Sequence, residues 1–376
     1  MRRLRTQVGI VGAGPAGLVL AHALGRAGVD CLVLERHSRA RVEARARAGL
    51  LEERTVAHLR RHGLAGRLLA EGTRHGWCEF LCAGHRLRMD YAALGGAEHW
   101  VYPQHWLVRD LIAALETAGR PPRFGVPVLA VEERRRIRCD GLELDCEYVI
   151  GCDGARGVTR RALPAGLRRE TTRRYPYDWV AVLAEVTRPV GGVLYALHER
   201  GFAGMMPRTP AIGRFYLQCA AGDTPADWPG PRVRAELALR LPLAEVGLGA
   251  LHEVRILRMH SRITRPFRYG RLVLAGDAAH VLTPSGAKGM NLAIADATDL
   301  ADSLLHGGLD GYGRRRLAAV RRAQDFSERL LRLLHRPPDE ALPDLRLLTA
   351  PGPHATAFAR EFTGTSEETD DAQWRA

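Results

Sequence analysis

Three short glycine-bearing motifs, far apart along the chain, most constrain what this sequence can fold into. They are Gly12-Ala13-Gly14-Pro15-Ala16-Gly17, Gly151-Cys152-Asp153-Gly154 and Gly276-Asp277-Ala278-Ala279-His280. Each follows an apolar run typical of a strand, at 8–11, 148–150 and 272–275. One such motif alone is common in nucleotide-binding proteins, but the three in this order indicate a site for a flavin dinucleotide.

The first motif predicts a strand, a tight turn and a helix that together hold a pyrophosphate. Gly12 permits the turn, Gly14 lets the backbone approach the phosphates, and Gly17 lets the helix pack on the strand. The helix points its N-terminal N–H groups and positive dipole end at the phosphates. The next predicted strand, 31–34, ends in Glu35, whose carboxylate can accept bonds from a ribose but would repel a 2′-phosphate. The bound dinucleotide is therefore expected to be FAD or NAD, not NADP.

Length, cysteine content and charge argue against several other classes of protein. The 376 residues suffice for two domains or for one large α/β unit with an insertion. No apolar run approaches a membrane span, and the start lacks a signal-peptide core. The seven cysteines form no CxxC pair, which predicts reduced thiols in a cytoplasmic protein and no metal site. The net charge of +13 comes from 54 scattered arginines and one lysine, without interleaved aromatics, so nucleic-acid binding is not expected.

The single lysine lies just after the third motif, in Pro284-Ser285-Gly286-Ala287-Lys288-Gly289-Met290-Asn291. The small residues at Gly286 and Gly289 would permit close backbone approach to a ring. A helix that begins near Ala287 would direct its N-terminus at an anion such as the edge of a reduced flavin. Asp277, at a strand end, is placed to accept bonds from a ribityl or ribose hydroxyl. The alternative is an ordinary glycine loop with a surface lysine.

The order of these segments predicts an α/β (α+β) fold with an inserted substrate domain. Residues 1–174 would form the first part of the FAD-binding domain, with 74–100 contributing to the substrate sheet. Residues 175–261 carry alternating strands and no nucleotide motif, so they are predicted as the β-sheet substrate domain. Residues 262–335 would complete the FAD-binding domain and add helices. Residues 336–376 would form a C-terminal segment with a disordered tail from Gly364.

The chain closely resembles the para-hydroxybenzoate hydroxylase family of single-component FAD-dependent aromatic monooxygenases. The likeness runs from Thr6 to about Gly364 and rests on the motifs above together with two further segments, Arg45-Ala46-Arg47-Ala48-Gly49-Leu50-Leu51-Glu52 and Tyr102-Pro103-Gln104. It implies a Rossmann-like FAD-binding domain of the GR2 type. It also implies NADPH or NADH as co-substrate without a second Rossmann domain, and it is compatible with a homodimer.

The resemblance also implies which residues hold the cofactors. The FAD contacts would be the glycine loop (Gly12, Gly14, Pro15, Ala16, Gly17), Glu35, Arg45, Arg47, Gln104, Asp153, Asp277, Pro284, Gly286, Lys288, Gly289, Met290 and Asn291. Arg45 and Arg47 would also serve a mobile flavin and the nicotinamide cofactor. His37, Arg41 and Arg156 occupy the loop that selects the dinucleotide, and arginines there suit the 2′-phosphate of NADPH.

The residues implied to bind the substrate are Arg208, Tyr216, Tyr195, Met206, Gly204, Val193 and Ser285. Arg208 would grip an aromatic carboxylate through its planar fork, with Tyr216 assisting. Tyr195 would hydrogen-bond the substrate phenol and favour its ionisation. His75 would be the solvent-side end of the proton path. The carbonyl of Pro284 would lie on the reacting side of the ring.

Departures from the family pattern bear on the identity of the substrate. Met206 replaces the serine that helps to hold the carboxylate, and Gly204 and Val193 replace leucines of the ring pocket. The family has a second tyrosine on the path that carries the proton away from the substrate phenol. That tyrosine aligns near Leu348 here, and no tyrosine follows Tyr312, so this chain lacks it. These differences predict a larger pocket and weaker ionisation of a plain phenol. The expected substrate is therefore a 4-hydroxybenzoate with a 3-amino or 3-hydroxy group.

The implied reaction is a two-stage cycle. NAD(P)H reduces FAD, O2 adds to give a flavin hydroperoxide, and its distal oxygen is transferred to the phenol. The alternatives are a plain 4-hydroxybenzoate 3-hydroxylase, a halogenase or reductase on the same fold, and a binding protein with a vestigial flavin. The absence of a Trp-x-Trp-x-Ile-Pro motif argues against a tryptophan halogenase.

Overall fold

The computed structural model describes residues 2–45, 47, 49–132 and 135–365. The strands are β1 Arg2–Val11, β2 Cys31–Leu34, β3 Leu50–Glu52, β4 Thr73–His75, β5 Trp77–Cys82, β6 His85–Asp90, β7 His99–Val101, β8 Val128–Glu132, β9 Arg136–Cys139, β10 Leu142–Gly151, β11 Arg169–Arg174, β12 Tyr177–Val186, β13 Val193–Leu197, β14 Ala203–Thr209, β15 Ile212–Ala220, β16 Leu248–Leu257, β17 His260–Arg265, β18 Arg268–Tyr269, β19 Leu272–Leu274 and β20 His280–Val281. The helices are α1 Pro15–Arg26, α2 Arg39–Glu43, α3 Glu53–Arg61, α4 Gly66–Glu71, α5 Gln104–Thr117, α6 Gly230–Arg240, α7 Gly289–His306, α8 Leu309–Leu334, α9 Pro338–Thr349 and α10 Pro353–Thr363.

The first sheet brings the three glycine motifs to one edge. Its main order is β18-β19-β10-β1-β2, and β1 pairs in parallel with both β10 and β2, as β10 does with β19. In this register Val11 is opposite Gly151, and Gly151 is opposite Leu274. Because parallel strands end at the same edge, the turns that follow them meet there. The predicted α/β arrangement of this part is confirmed.

The second sheet has the order β16-β12-β15-β14-β13-β5-β6. Strands β5 and β6 therefore join it from the segment predicted at 74–100. The two ends of that segment, β4 and β7, do not join the second sheet. They pair instead with each other, and β7 also with β3, in a separate three-stranded sheet. The predicted domain limits themselves stay a proposal.

The C-terminal helices cover one face of the second sheet. Phe326 of α8 and Phe362 of α10 belong to the same buried apolar cluster as Tyr195 and Tyr216 of the sheet. Helices α9 and α10 occupy most of the predicted C-terminal segment. Both have proline in their first turn, where its missing N–H costs nothing. The predicted disordered tail from Gly364 falls almost wholly on residues 366–376, outside the described residues.

None of the described helices combines the length and the apolar character needed to cross a membrane. Within the same residues, no group of three or more His, Cys, Asp or Glu side chains could hold a metal ion.

Candidate functional site

One long cavity of about 1250 Å³ connects the glycine loop with the second sheet. The first sheet, with its turns, forms one end, and β14, β15 and β16 form the other. The predicted site residues on its wall are Gly14, Pro15, Ala16, Glu35, Arg45, Arg47, Gln104, Asp153, Met206, Arg208, Tyr216, Asp277, Pro284, Gly289 and Met290. The structure therefore brings most of the predicted cofactor residues and part of the predicted substrate set into one space.

The glycine loop has the geometry that a bound pyrophosphate needs. Gly12 has φ +110°, and a Cβ there would lie 2.3 Å from the carbonyl oxygen of Cys152. A Cβ on Gly17 would lie 2.1 Å from the carbonyl oxygen of Gly12. A Cβ on Gly14 would meet no atom within 4 Å, because that side of the loop is open. Pro15 starts α1 directly after this opening, so the helix N-terminus faces the space where phosphates would lie.

Glu35 ties the end of β2 to the glycine loop. Its carboxylate accepts hydrogen bonds from the backbone N–H of Ala13 and of His37, each at 2.9 Å. The residue lies on the cavity wall and is 9% exposed. The carboxylate is thus held by backbone donors, and its predicted contact with a ribose stays a prediction.

Charged side chains line the middle of the cavity. Asp277 follows β19 and pairs with Arg47 at 3.2 Å between Oδ2 and Nη1, and both side chains remain about one-third exposed. Burial, followed by the charge of Arg47, lowers the pKa of Arg45 to about 10. Gln104, at the start of α5, lies on the same cavity wall. The predicted roles of these residues at the flavin are therefore sterically available.

Asp153 has a partner of its own within the chain. Its carboxylate accepts bonds from the backbone N–H of Thr159 at 2.9 Å and from the hydroxyl of Thr159 at 2.6 Å. Burial raises the pKa of Asp153, and these bonds oppose that shift. The side chain therefore stabilises the second motif's turn, and because Asp153 also lies on the cavity wall, its contact with the cofactor stays a prediction.

Sequence reasoning missed Asp296, which fixes the third motif. This residue of α7 is fully buried, and its carboxylate accepts a bond from the backbone N–H of Gly276 at 2.8 Å. It also pairs with His280 at 2.6 Å and with Arg316 at 2.7 Å. A carboxylate within the apolar run 292–297 was the available signal, because a buried charge requires partners.

Lys288 does not reach the cavity, which corrects its predicted cofactor role. The residue is 4% exposed, and its ammonium donates to Glu52 Oε1 at 2.6 Å and to the carbonyl of Phe362 at 2.9 Å. Arg54 also pairs with Glu52 at 2.7 Å. A buried ammonium must be paired, so it turns toward this carboxylate and α10 rather than toward a ligand.

Three neighbours of Lys288 also lie off the cavity wall. Ser285 donates to the carbonyl of Ser327 at 2.8 Å, and a Cβ on Gly286 would lie 2.6 Å from the hydroxyl of Ser327. Asn291 accepts from the backbone of Glu52 at 3.0 Å. These predicted ligand contacts are instead internal contacts that hold α7 and α8. Pro284, Ala287, Gly289 and Met290 are the members of the segment that do line the cavity.

The far end of the cavity holds two buried arginines. Arg208 and Arg214 are each 6% exposed. Arg208 donates to the carbonyl of Arg47 and lies 3.2 Å from Nδ1 of His105. Nε and Nη2 of Arg214 are buried with no hydrogen-bond partner among the described residues. Burial, followed by the charge of Arg214, lowers the pKa of Arg208 to about 10. Two neighbouring cations, of which Arg214 has unmet donors, create a site for an anion.

Sequence reasoning did not single out Arg214 as a functional residue. It is opposite Met206 in the β14–β15 register, and Tyr216 follows two residues later on the same face. The alternation of side chains along a strand was the available signal. Once Arg208 and Tyr216 were predicted, it would have placed Arg214 on the same face beside them. All four residues line the cavity.

Tyr195, Val193 and Gly204 lie behind the cavity wall. Tyr195 is 1% exposed and stacks on Phe80 with ring centroids 5.4 Å apart, and burial raises its pKa well above the usual value. A Cβ on Gly204 would lie 3.0 Å from Cζ of Phe202. The ring of Phe202 therefore fills the space, and the predicted enlargement of the pocket at Gly204 is wrong.

His75 is also buried, which corrects its prediction as a solvent-side group. It is 5% exposed, and its Nδ1 lies 2.6 Å from the hydroxyl of Tyr91. Burial lowers the pKa of His75 to about 4. Neither His75 nor Tyr91 lies on the cavity wall.

Comparison with known proteins agrees with this geometry. The FAD binding domain family matches residues 5–327. The p-hydroxybenzoate hydroxylase of Acinetobacter baylyi is 33% identical over 354 residues, which cover 89% of this chain and 88% of that protein. The chain belongs to the FAD binding domain family, and it is a flavin-dependent aromatic monooxygenase of the p-hydroxybenzoate hydroxylase type.

Two solved structures share the fold. The p-nitrophenol 4-monooxygenase of Pseudomonas putida DLL-E4 superposes with a TM-score of 0.81 over 98% of both chains at 21% identity. Aklavinone-11 hydroxylase in complex with FAD and aklavinone gives a TM-score of 0.74 at 26% identity, covering 89% of this chain and 70% of that one. The predicted fold class and FAD as cofactor are confirmed.

Proposed function

We propose that this enzyme hydroxylates a 4-hydroxybenzoate-type aromatic acid ortho to an activating group. The observation that carries the proposal is the pair Arg208 and Arg214, buried at the end of the cavity that begins at the glycine loop. A carboxylate entering this end loses its hydration and needs charged donors, and the guanidinium fork supplies two parallel ones.

The chain's own residues would bind and orient the substrate, while bound FAD would supply the activation of O2 and the transfer of oxygen. Arg208 and Arg214 would fix the carboxylate, and Tyr216 would assist them. The carbonyl of Pro284 would face the reacting side of the ring. Apolar cavity residues such as Val101 and Leu257 would limit the access of water to the reacting atoms.

We further propose a 3-amino or 3-hydroxy substituent on the preferred substrate. An electron-donating group raises the nucleophilicity of the ring. This would compensate for the absence of the family's second relay tyrosine, since no tyrosine follows Tyr312. Plain 4-hydroxybenzoate is the second candidate. It is favoured by the ring of Phe202, which occupies the space at Gly204, and by the name of the Acinetobacter relative.

The cavity also supports a choice of reductant. His37, Arg41 and Arg156 lie on its wall, and the two arginines are cations. Cations at this place would bind the 2′-phosphate of NADPH, so NADPH is the proposed co-substrate over NADH. A cytoplasmic location and a homodimer are part of the same proposal.

A substrate panel tests the function. The FAD-loaded enzyme is mixed with NADPH or NADH and with 4-hydroxybenzoate, its 3-amino and 3-hydroxy derivatives, or 4-hydroxybenzamide as a neutral control. Hydroxylated product and H2O2 are then measured separately. We expect stimulated NADPH oxidation by the acids, none by the amide, and the best coupling with a 3-substituted acid. A clear preference for the unsubstituted acid would select the second candidate. No stimulation by any acid would contradict the proposed function.

A further inference from the structure

His105 contacts the guanidinium of Arg208, although it was not among the residues predicted for the site. It is the second residue of α5, and its Nδ1 lies 3.2 Å from Nη2 of Arg208. On the other terminal nitrogen, Nη1 of Arg208 donates to the carbonyl of Arg47. Gln104, the residue before His105, lines the cavity, whereas His105 does not. His105 therefore contacts the proposed carboxylate anchor without forming part of the cavity wall.

The two contacts use one N–H on each terminal nitrogen of Arg208. A guanidinium carries five N–H donors, which are one on Nε and two on each of Nη1 and Nη2. Nη1 bonds to Arg47 and Nη2 to His105, and Arg208 makes no further hydrogen bond within the described residues. Each terminal nitrogen therefore keeps one N–H, and this pair matches the two oxygens of a carboxylate. The two internal acceptors fix the plane of the guanidinium and leave the donors that a bidentate ligand needs.

Both internal acceptors are uncharged. The carbonyl of Arg47 is neutral, and Nδ1 of His105 can accept only if the imidazole is neutral and carries its proton on Nε2. Burial, followed by the charges of Arg208, Arg109 and Arg67, lowers the pKa of His105 to about 4, so the ring is neutral at pH 7. Arg208 is therefore held in place by groups that do not cancel its charge.

An acidic side chain in place of His105 would hold Arg208 but would also neutralise it. The buried Arg316 has such a partner, because it pairs with Asp296 at 2.7 Å and is thereby satisfied within the chain. Glu253 also acts on Arg208 as an acid, but it already has an arginine partner of its own. A neutral acceptor is thus the choice that keeps a buried arginine attractive to an anionic ligand.

We propose that His105 is a positioning residue that makes the site selective for anionic substrates. Its neutral Nδ1 holds the guanidinium of Arg208 in the orientation that binds a carboxylate and leaves the charge of Arg208 available. The inference rests on the proposed function, because it assumes that Arg208 binds the carboxylate. Helix α5 is a firm support, since its residues Leu107 and Leu111 are buried in the same apolar cluster as the first sheet. Side chains on such elements hold their partners more precisely than side chains on loops.

The test compares two substitutions of equal size that differ in charge. The FAD-loaded protein is titrated with 4-hydroxybenzoate, and the flavin spectrum gives the dissociation constant. His105→Asn replaces Nδ1 by a neutral amide oxygen, and we expect an affinity within about threefold of wild type. His105→Asp places a carboxylate there, and we expect binding about tenfold weaker, because Arg208 is then partly neutralised. His105→Leu provides no acceptor and should also weaken binding about tenfold.

Two controls determine whether the effect depends on Arg208. His62→Asp puts the same charge on another half-buried histidine, which lies off the cavity wall, and it should leave the affinity unchanged. In an Arg208→Ala background, His105→Leu should add less than about a twofold loss, since no guanidinium remains to be held. The flavin content of each variant is measured in parallel and should equal that of wild type.

The outcomes separate this inference from the proposed function. Equal affinity of His105→Asn and His105→Asp would overturn the inference, and so would losses that multiply when Arg208→Ala and His105→Leu are combined. In both cases the proposed function stands if Arg208→Ala alone weakens binding. If wild-type protein binds no hydroxybenzoate, or if Arg208→Ala binds it as tightly as wild type, the proposed function fails and the inference fails with it. Should His105→Leu not fold, the comparison of His105→Asn with His105→Asp still decides.

Discussion

The two ends of the cavity are built in different ways. At the glycine-loop end the buried carboxylates already have partners: Glu35 holds the backbone of Ala13, and Asp296 holds that of Gly276. At the far end, Arg214 has two buried nitrogens without a partner among the described residues, and Arg208 lies beside it. The FAD end is therefore complete before a ligand binds, whereas the substrate end becomes electrostatically complete only with an anion.

If that contrast is right, Asp296→Ala should have the largest effect of the variants below. It should lower the free energy of unfolding rather than the affinity for the substrate. The change leaves His280 and Arg316 buried without their carboxylate, which typically costs about 3–5 kcal/mol. Denaturant unfolding of the two proteins measures the loss. Asp302→Ala on the same helix is the control, because that side chain is 66% exposed and should change stability little. Equal stability of the two variants would show that the third motif does not depend on this charge cluster.

The same cluster gives an acid dependence. Burial alone would raise the pKa of Asp296, but His280 and Arg316 outweigh it and hold the pKa at about 2. A folded-state pKa below the unfolded value of about 3.9 means that the stabilisation is complete well above that pH and is lost as the pH falls toward 2. Wild-type unfolding free energy should therefore fall more steeply than that of Asp296→Asn between about pH 5 and pH 2.

At the substrate end, Arg208→Ala should weaken binding of a 4-hydroxybenzoate by about 2–5 kcal/mol without loss of FAD. The reason is that the buried carboxylate of the substrate would lose a charged partner. Arg214→Ala should have a comparable effect, and Arg3→Ala, an exposed residue paired with Glu143, should have none. Titration monitored by the flavin spectrum gives all three values. Near-wild-type affinity in Arg208→Ala would refute its role, and a loss confined to Arg214→Ala would transfer the anchor to Arg214.

Two glycines of one loop should behave differently. Gly17→Ala places a methyl group 2.1 Å from the carbonyl oxygen of Gly12, and such overpacking costs about 1–3 kcal/mol of folding free energy. Gly14→Ala meets no atom of the chain, so the apoprotein should keep its stability while FAD affinity falls. Thermal unfolding with and without FAD separates the two effects. Unchanged FAD affinity in Gly14→Ala would mean that the pyrophosphate lies elsewhere.

The smallest expected effects distinguish two carboxylates at the FAD end. Glu35→Ala and Asp277→Ala should each weaken FAD retention by about 1–2 kcal/mol, since each removes charged hydrogen-bond acceptors. Only Glu35→Ala should also destabilise the apoprotein, because Glu35 bonds two backbone N–H groups whereas Asp277 pairs with Arg47, whose side chain is about one-third exposed. Dialysis followed by flavin spectra, and unfolding without FAD, measure both. A variant that keeps full flavin would show that its carboxylate is structural only.

The FAD end could be predicted from sequence because its chemistry is local. Gly12 and Gly14 lie in the turn after β1, and Gly17 lies in the first turn of α1 that follows it. The apolar strand before each motif fixes where its turn points. The arrangement near Lys288 could not be predicted, since its partners Glu52 and Phe362 are remote in sequence. The packing around the substrate pocket could not be predicted for the same reason.

At Gly204, the ring of Phe202, the residue just before β14, occupies the space that the missing side chain would leave. A substitution pattern shows which atoms are removed, but not which side chain moves in. The family resemblance predicted His75 as a solvent-side group, and only the packing of Tyr91 and His99 revealed that the ring is enclosed.

The contact between Lys288 and the carbonyl of Phe362 has a consequence for the order of events during synthesis. On the ribosome, the glycine loop emerges early, but the turn that carries Asp277 appears after more than half of the chain. The ammonium of Lys288 gains its full set of partners only when α10 has been made. FAD should therefore be taken up late in translation or after release, and nascent chains stalled before residue 353 should not retain the flavin.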